Sequence, residues 1–305
     1  MNVGPGAGSR HRILLGLLVC VWAISWPVMK VGVGAVPPLW FGFLRYLIAT
    51  SCFFPLALVR GRLVIPARQD WPLILVSGAL QMAAFSALTG LALTVLPPGR
   101  AAVLAYSTPI WVAPLAAWRL DEPISRRALL GMAAGLAGVF AIAGPSLVAG
   151  RAGQMIGYVM LMGAAALWAV TIVFVRAHRF SASPLALAPW QMLVAAILLL
   201  PCAAAVEGPI TPFNMSGALA LAYVGPVATA FAYWAIVETG RHFAASTMSM
   251  ALLAAPSLGI LISALSLGEA IDSSLIGGLV LIVTGICLAT NFAGPRQPAA
   301  ARRQA

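Results

Sequence analysis

Apolar residues run along this chain in long blocks, broken by short clusters of Gly, Pro and charged residues, with no sustained period-two alternation. The blocks fall at residues 13–33, 39–59, 72–95, 99–118, 126–143, 154–176, 185–205, 216–239, 243–266 and 274–291. Each is about 18 to 24 residues long, and at about 1.5 Å per residue each matches a hydrocarbon core of about 30 Å. The pattern therefore predicts an all-α integral membrane protein of ten transmembrane helices, with connections too short to hold a soluble domain. The first block follows Arg10, His11 and Arg12, and no A-x-A-like step closes it, so a retained helix is expected rather than a removed leader.

Composition agrees with lipid as the main solvent. Of 305 residues, 62% are hydrophobic and 8% charged, against roughly a quarter charged in an ordinary soluble domain. The net charge of +11 would suggest nucleic acid in a soluble chain, so its distribution matters. With the N-terminus inside, Arg10, Arg12, Arg60, Arg62, Arg68, Arg119, Arg126, Arg127, Arg176, Arg179, Arg241, Arg296, Arg302 and Arg303 all fall on the cytoplasmic side. Only Lys30, Arg100 and Arg151 fall opposite, and Arg45 lies within the second span. This is the positive-inside signature. It predicts a multi-pass protein of the plasma membrane, the bacterial inner membrane, with both termini cytoplasmic, and a basic face for anionic lipid rather than nucleic acid. Cys20, Cys52, Cys202 and Cys287 sit within apolar runs without clamp spacing and read as small buried residues. No cofactor and no metal is expected.

Sliding the second half over the first gives a nearly fixed register. At an offset of 146, Trp22-Ala23 falls on Trp168-Ala169, Ser25 on Thr171, Lys30 on Arg176 and Pro38-Leu39 on Pro184-Leu185. At 147, Pro109 falls on Pro256, Leu120 on Leu267, Glu122 on Glu269, Ile124 on Ile271, Gly131 on Gly278 and Gly138 on Gly285. Two five-helix halves follow, residues 1–148 and 149–305, the second ending in a short basic tail. Because five is odd, the second half enters the membrane from the other side, placing Glu122 in a cytoplasmic loop and Glu269 in an outer one. Inverted-topology repeats mark secondary transporters, whose site lies near the midplane where the halves meet.

The W-A-x-S-W-P-V-x-K stretch from Trp22 to Lys30, the A-Y-S-T-P-I-W-V-A-P stretch from Ala105 to Pro114, and the D-E-P from Asp121 to Pro123 complete a resemblance over nearly the whole chain. The sequence resembles an EamA-type member of the drug/metabolite transporter (DMT) superfamily, and within it the YddG-type exporters of aromatic and other amino acids. The resemblance implies a basket-shaped ten-helix fold, a central cavity that opens alternately to each side, and export of small metabolites. One departure stands out: related four-helix multidrug proteins use a carboxylate in the first helix for proton coupling, and no Asp or Glu lies in that helix here. Drug-for-proton exchange by that mechanism is not expected.

Candidate residues follow from the cost of polar groups in lipid. Pro109 and Pro256, near the centres of the fourth and ninth spans, each remove an intrahelical hydrogen bond and are hinge candidates, with packing kinks as the plainer reading. Trp22, Trp26 and Lys30 share a helical face, and Trp168 with Thr171 stands at the equivalent depth in the sixth span. Trp40, Trp71 and Trp118, near span ends, read as interfacial anchors. Gln81, with Ser77 and Phe85 on its face, must meet protein or cavity, because an amide facing lipid costs several kcal/mol. Tyr106, Ser107, Trp190, Gln191 and Tyr233 supply further polar tips, with helix–helix hydrogen bonding as the alternative for each. Arg45 lies about 6 Å from the midpoint of its span by rise per residue. There a charge is costly and marks a functional or paired role, while Lys30 is close enough to the outer end to snorkel.

All seven carboxylates lie in loops or at span ends, and His11, His178 and His242 lie on the cytoplasmic side. Without a mid-membrane Asp, Glu or His a proton relay is not expected, so movement should be facilitative. No H-E-x-x-H, phosphate loop or paired aspartate points to an enzyme. The sequence therefore predicts alternating-access export of small metabolites, with amino acids as the expected substrate. The alternatives are export of lipophilic drugs, or a receptor or scaffold without transport. Whether the chain acts as a monomer or a homodimer stays open.

Overall fold

The computed structural model describes residues 5–59, 63–121, 124–243 and 245–289. Arg60, Arg62, Glu122, Pro123, Arg296, Arg302 and Arg303 lie outside them. The described residues form α1 (Pro5–Ala35), α2 (Pro38–Val59), α3 (Arg68–Val95), α4 (Pro98–Leu120), α5 (Arg126–Val148), α6 (Ala152–Ala177), α7 (Pro184–Glu207), α8 (Met215–Gly240), α9 (Ala245–Leu267) and α10 (Ser273–Ala289). The first eight are long and apolar enough to cross a membrane, and the last two carry the shorter apolar helices Ala251–Leu267 and Ser273–Leu288. An all-helical bundle is what lipid demands, since each helix satisfies its own backbone.

Helix starts are set by short polar caps and by proline. Ser125, Ser183 and Asn214 precede α5, α7 and α8, and their side-chain oxygens accept the N–H groups of Ala128, Ala186 and Gly217 at 3.1, 3.3 and 3.1 Å. Pro38, Pro98 and Pro184 open α2, α4 and α7, where no intrahelical donor is needed. Asp121 closes α4 in the left-handed region at φ 52°, and Gly268 turns the chain after α9 at φ 67°.

The main helix contacts repeat when the halves are exchanged. α1 lies against α8 and α9, and its counterpart α6 lies against α3 and α4; α2 pairs with α7, and α5 with α10. The α5–α10 pair closes on glycine. A Cβ on Gly138 would stand 2.7 Å from the carbonyl oxygen of Gly278, one on Gly278 would stand 2.8 Å from that of Gly138, and one on Gly285 would stand 2.5 Å from that of Gly131. Small residues let two backbones approach where lipid supplies no hydrophobic drive. At the repeat register, Gly131 with Gly285 is the image of Gly278 with Gly138, as a two-fold relation between the halves requires.

Both α3 and α8 widen into π-helical turns, Ser77–Ala84 and Pro226–Phe231, at equivalent places in the repeats. Such turns interrupt the i→i+4 ladder and cluster at functional positions. In α8, Ala230 N–H reaches back to Gly225 at 3.0 Å. α4 instead breaks at Tyr106 and Ser107, immediately before Pro109, whereas Pro256 sits inside a continuous α9. The two prolines thus match in sequence but not in backbone.

The outer surface of the bundle carries Phe140, Val148, Val159 and Leu265. Two expectations are corrected there. Cys20, Cys52 and Cys202 are exposed and Cys287 half-buried, because an apolar run does not distinguish a lipid-facing position from a core one. Trp40 is buried and donates its indole N–H to Gly208 at 2.9 Å, whereas Trp71 and Trp118 remain on the surface.

Candidate functional site

A central cavity of about 170 Å³ opens where the two halves meet, with space for on the order of ten water-sized groups. The first half contributes Trp22, Ser25, Trp26 and Met29 from α1, Arg45 and Tyr46 from α2, Gln81, Met82 and Phe85 from α3, and Tyr106 from the break in α4. The second half contributes Trp168 from α6, Met192 from α7, and Ala228, Thr229, Tyr233 and Ile236 from α8. Both π-helical turns therefore face the cavity.

Most of the wall is aromatic or thioether surface with a few polar tips, the pattern of an organic-ligand site. Trp168 and Phe85 meet edge to face with ring centroids 5.3 Å apart. Arg45 enters from α2, and its Nε donates to Thr229 Oγ1 at 2.7 Å. Nη1 lies 3.5 Å from Met29 Sδ, and the guanidinium carbon stands 5.4 Å from the Tyr46 ring centroid. Thr229 Oγ1 is itself fixed by donating to Val224 O at 2.7 Å. Among the described residues, Arg45 has no carboxylate partner and the Gln81 amide has no hydrogen-bond partner. A cation without a counter-charge and an amide without a hydrogen-bond partner, among the described residues, are thus presented to the cavity.

Trp22, Trp26, Arg45, Gln81, Phe85, Tyr106, Trp168 and Tyr233 of the expected set meet at this cavity. The others do not line it. Lys30 turns away, donating to the carbonyls of Leu93 and Leu96 at 2.5 and 3.1 Å, which end α3. Ser77, Ser107 and Thr171 are buried, the last two donating to carbonyls one turn earlier. Ser77 leaves the face of Gln81 because the π turns break the i, i+4 register. Trp190 donates to Val64 O at 2.9 Å and packs on Phe54. Gln191 sits behind the wall, its Oε1 accepting the Tyr233 hydroxyl at 3.2 Å. Ser25, Met29, Tyr46, Met82, Met192 and Thr229 were not singled out by the sequence. Of these, Ser25 had a signal, standing one turn from Trp22 and falling on Thr171 in the repeat register.

At one end of the bundle a second recess is lined by Lys30, Leu96, Arg100, Gln154 and Glu269. Glu269 accepts the N–H groups of Gly99 and Arg100 at 2.8 and 3.3 Å, at the start of α4, where a helix N-terminus favours an anion. Burial pushes the Glu269 carboxyl above its ordinary range, more than those N–H groups and the Arg100 charge pull it down. Asp272 is also raised by burial, but Ser274, the Leu275 N–H and its ion pair with Arg100 outweigh this and hold it below its ordinary range. The same device recurs elsewhere. Glu207 accepts the N–H groups of Leu39 and Trp40 at 2.9 and 3.0 Å. Fully buried Asp70 accepts the Ser181 N–H at 2.7 Å and its hydroxyl. Each of these carboxylates ties one half of the chain to the other.

Ten apolar helices, packed as two repeated sets with an aromatic cavity with polar tips between them, define a multi-pass membrane transporter. The chain belongs to the EamA-like transporter family, whose model matches it twice, over residues 11–144 and 155–291. It is 28% identical to a probable amino-acid metabolite efflux pump of Salmonella typhimurium, over 91% of this chain and 94% of that one. It is also 28% identical to the aromatic amino acid exporter YddG of Ancylobacter novellus, over 85% of this chain and 90% of that one. A protein of known crystal structure shares the fold, with a TM-score of 0.61 and 24% identity over 92% of this chain and 96% of that one.

Proposed function

We propose that the protein exports amino acids, aromatic ones among them, by facilitative alternating access around the central cavity. The observation that carries this reading is Arg45, a cation at the cavity wall with no carboxylate partner among the described residues, which suits the carboxylate of a zwitterion. Trp22, Trp26 and Trp168 supply apolar and cation-attracting faces for the rest of the molecule. Met29, Met82 and Met192 make that wall adaptable to different side chains. The relatives named for amino-acid export support the same substrate class.

In this reading residues 1–148 and 149–305 are the two halves that move against each other, both termini are cytoplasmic, and the chain sits in the bacterial inner membrane. The Lys30–Glu269 recess then faces outward. The test is counterflow of a labelled aromatic amino acid in proteoliposomes, with unlabelled amino acids and a lipophilic cation as competitors. Saturable uptake reduced by amino acids alone is expected. Competition by the lipophilic cation alone would replace this reading with drug export.

A further inference from the structure

α1 and α8 each line the central cavity, and their ends at one face of the bundle carry three metal-ligating side chains. His11 lies near the start of α1, Glu238 in the last turn of α8, and His242 in the turn that follows. One ligand atom from each lies within 4.8 Å of the others. His11 Nε2 stands 4.0 Å from Glu238 Oε1, and the two imidazoles stack with centroids 3.6 Å apart at 21°.

The surroundings of His242 suit the tautomer a metal ligand needs. Its Nδ1 lies 2.9 Å from the backbone carbonyl of Glu238, and in the neutral ring a proton on Nδ1 donated to that carbonyl leaves the Nε2 lone pair for a metal. A ring N–H donated to a backbone carbonyl is the usual support behind a metal-ligating histidine. Ligand atoms around tetrahedral zinc, each about 2.0–2.2 Å from the ion, lie roughly 3.3–3.5 Å apart. To receive an ion the three ligand atoms must draw in from within 4.8 Å of one another, and the stacked imidazoles must swing out of parallel so that both lone pairs aim at one point. Glu238 also faces Arg241 at 3.5 Å, so an incoming cation competes with that exposed pair for one carboxylate.

We propose that His11, Glu238 and His242 form a site for a divalent transition metal of the zinc class, which clips the start of α1 to the end of α8. Two histidines and one carboxylate leave a fourth position for water. No spacing rule flags the set, because His11 lies far in sequence from Glu238 and His242. The ion would join the ends of the two helices that carry Trp22, Trp26 and Met29 on one side and Thr229, Tyr233 and Ile236 on the other. Occupation therefore resists separation of these walls and slows the transport cycle, a consequence that rests on the transport reading above.

The test is calorimetric titration of the full chain, affinity tag removed, in nanodiscs with zinc chloride. One ion per chain is expected, with affinity weakened about tenfold or more in His242→Ala and in Glu238→Gln. Zinc should slow proteoliposome uptake by the wild type and spare a His11→Ala, His242→Ala double variant. Equal zinc affinity in wild type and double variant, or binding that leaves uptake unchanged, overturns the proposal. Calorimetry requires no transported substrate, so failure of the site and failure of the transport reading are distinguishable.

Discussion

Arg45 on α2 donates its Nε to Thr229 Oγ1 on α8 at 2.7 Å, across the boundary between the two halves. The hydroxyl occupies one edge of the guanidinium and leaves other N–H groups for a ligand oxygen. If they bind the substrate carboxylate, Arg45→Gln removes charge-assisted hydrogen bonds worth about 1.5–3 kcal/mol and raises the half-saturation concentration about 10- to 100-fold. Thr229→Val removes a single orienting bond and should raise it about fivefold. Membrane abundance should be unchanged in both, and uptake kinetics in proteoliposomes check the prediction. Unchanged half-saturation in Arg45→Gln would remove the carboxylate contact from the reading.

Trp168 stands mid-span in α6 and meets Phe85 of α3 edge to face. Such a pair adds about 0.5–1.5 kcal/mol beyond its buried area, and the indole also forms cavity wall. Trp168→Ala should cut uptake of aromatic substrates about tenfold, and Trp168→Phe should recover most of it. Equal loss of uptake and of folded protein would instead make Trp168 a packing residue.

Glu269 and Asp272 titrate in opposite senses at the same end of the bundle. A carboxyl raised in the fold contributes stability that is complete below its ordinary value of 4.5 and is lost as pH rises through the folded value. Asp272, lowered in the fold, contributes above 3.8 and loses that only as pH falls through its lower folded value. In the window from the raised Glu269 value down to 4.5, Glu269 therefore sets the sign of the pair, and acidification stabilises. Glu269→Gln keeps the oxygen that accepts Gly99 N–H and cannot ionise. The melting temperature of wild type relative to this variant should rise as pH falls through that window. Histidine contributions cancel in the difference.

Asp70 is fully buried and binds the backbone and hydroxyl of Ser181 just ahead of α7. Asp70→Ala leaves those donors unsatisfied and should cost about 3 kcal/mol, in the range for breaking one side of a buried charged contact. Folded protein recovered from membranes should fall, while the half-saturation of the surviving fraction stays at the wild-type value.

The spans were legible because lipid imposes a length and a composition on each helix, and the repeat was legible because equivalent helices kept Trp, Pro and Gly at a fixed offset. Arg45 and Trp168 stood out for a related reason, since each is expensive or unusual at mid-span. What the sequence hid depends on register and on the partner helix. Ser77 was assigned to the face of Gln81 by an i, i+4 rule that the π turn suspends. Lys30 had a reachable interface and a reachable cavity, yet its ammonium found the carbonyls that end α3. Asp70, Glu207 and Glu269 read as loop charges because the helix starts they hold belong to the other half of the chain.

The α5–α10 contact makes the last prediction. Gly138 and Gly278 face each other with no room for a Cβ: one on Gly138 would meet the Gly278 carbonyl oxygen at 2.7 Å and one on Gly278 that of Gly138 at 2.8 Å, and neither oxygen can rotate aside. Ile142 is closer still at Gly278, with Cγ1 2.3 Å from an added Cβ. A larger side chain must therefore push the helices apart, and overpacking of this kind costs typically about 1–3 kcal/mol. Neither helix contributes a residue to the central cavity, so the loss should appear in assembly and not in recognition. Gly138→Val and Gly278→Val should each lower the melting temperature and the yield of folded protein. Transport per folded molecule, measured after correcting for reconstituted protein, should keep the wild-type half-saturation. A changed half-saturation at normal yield would mean that the α5–α10 pair moves with the cavity rather than bracing it.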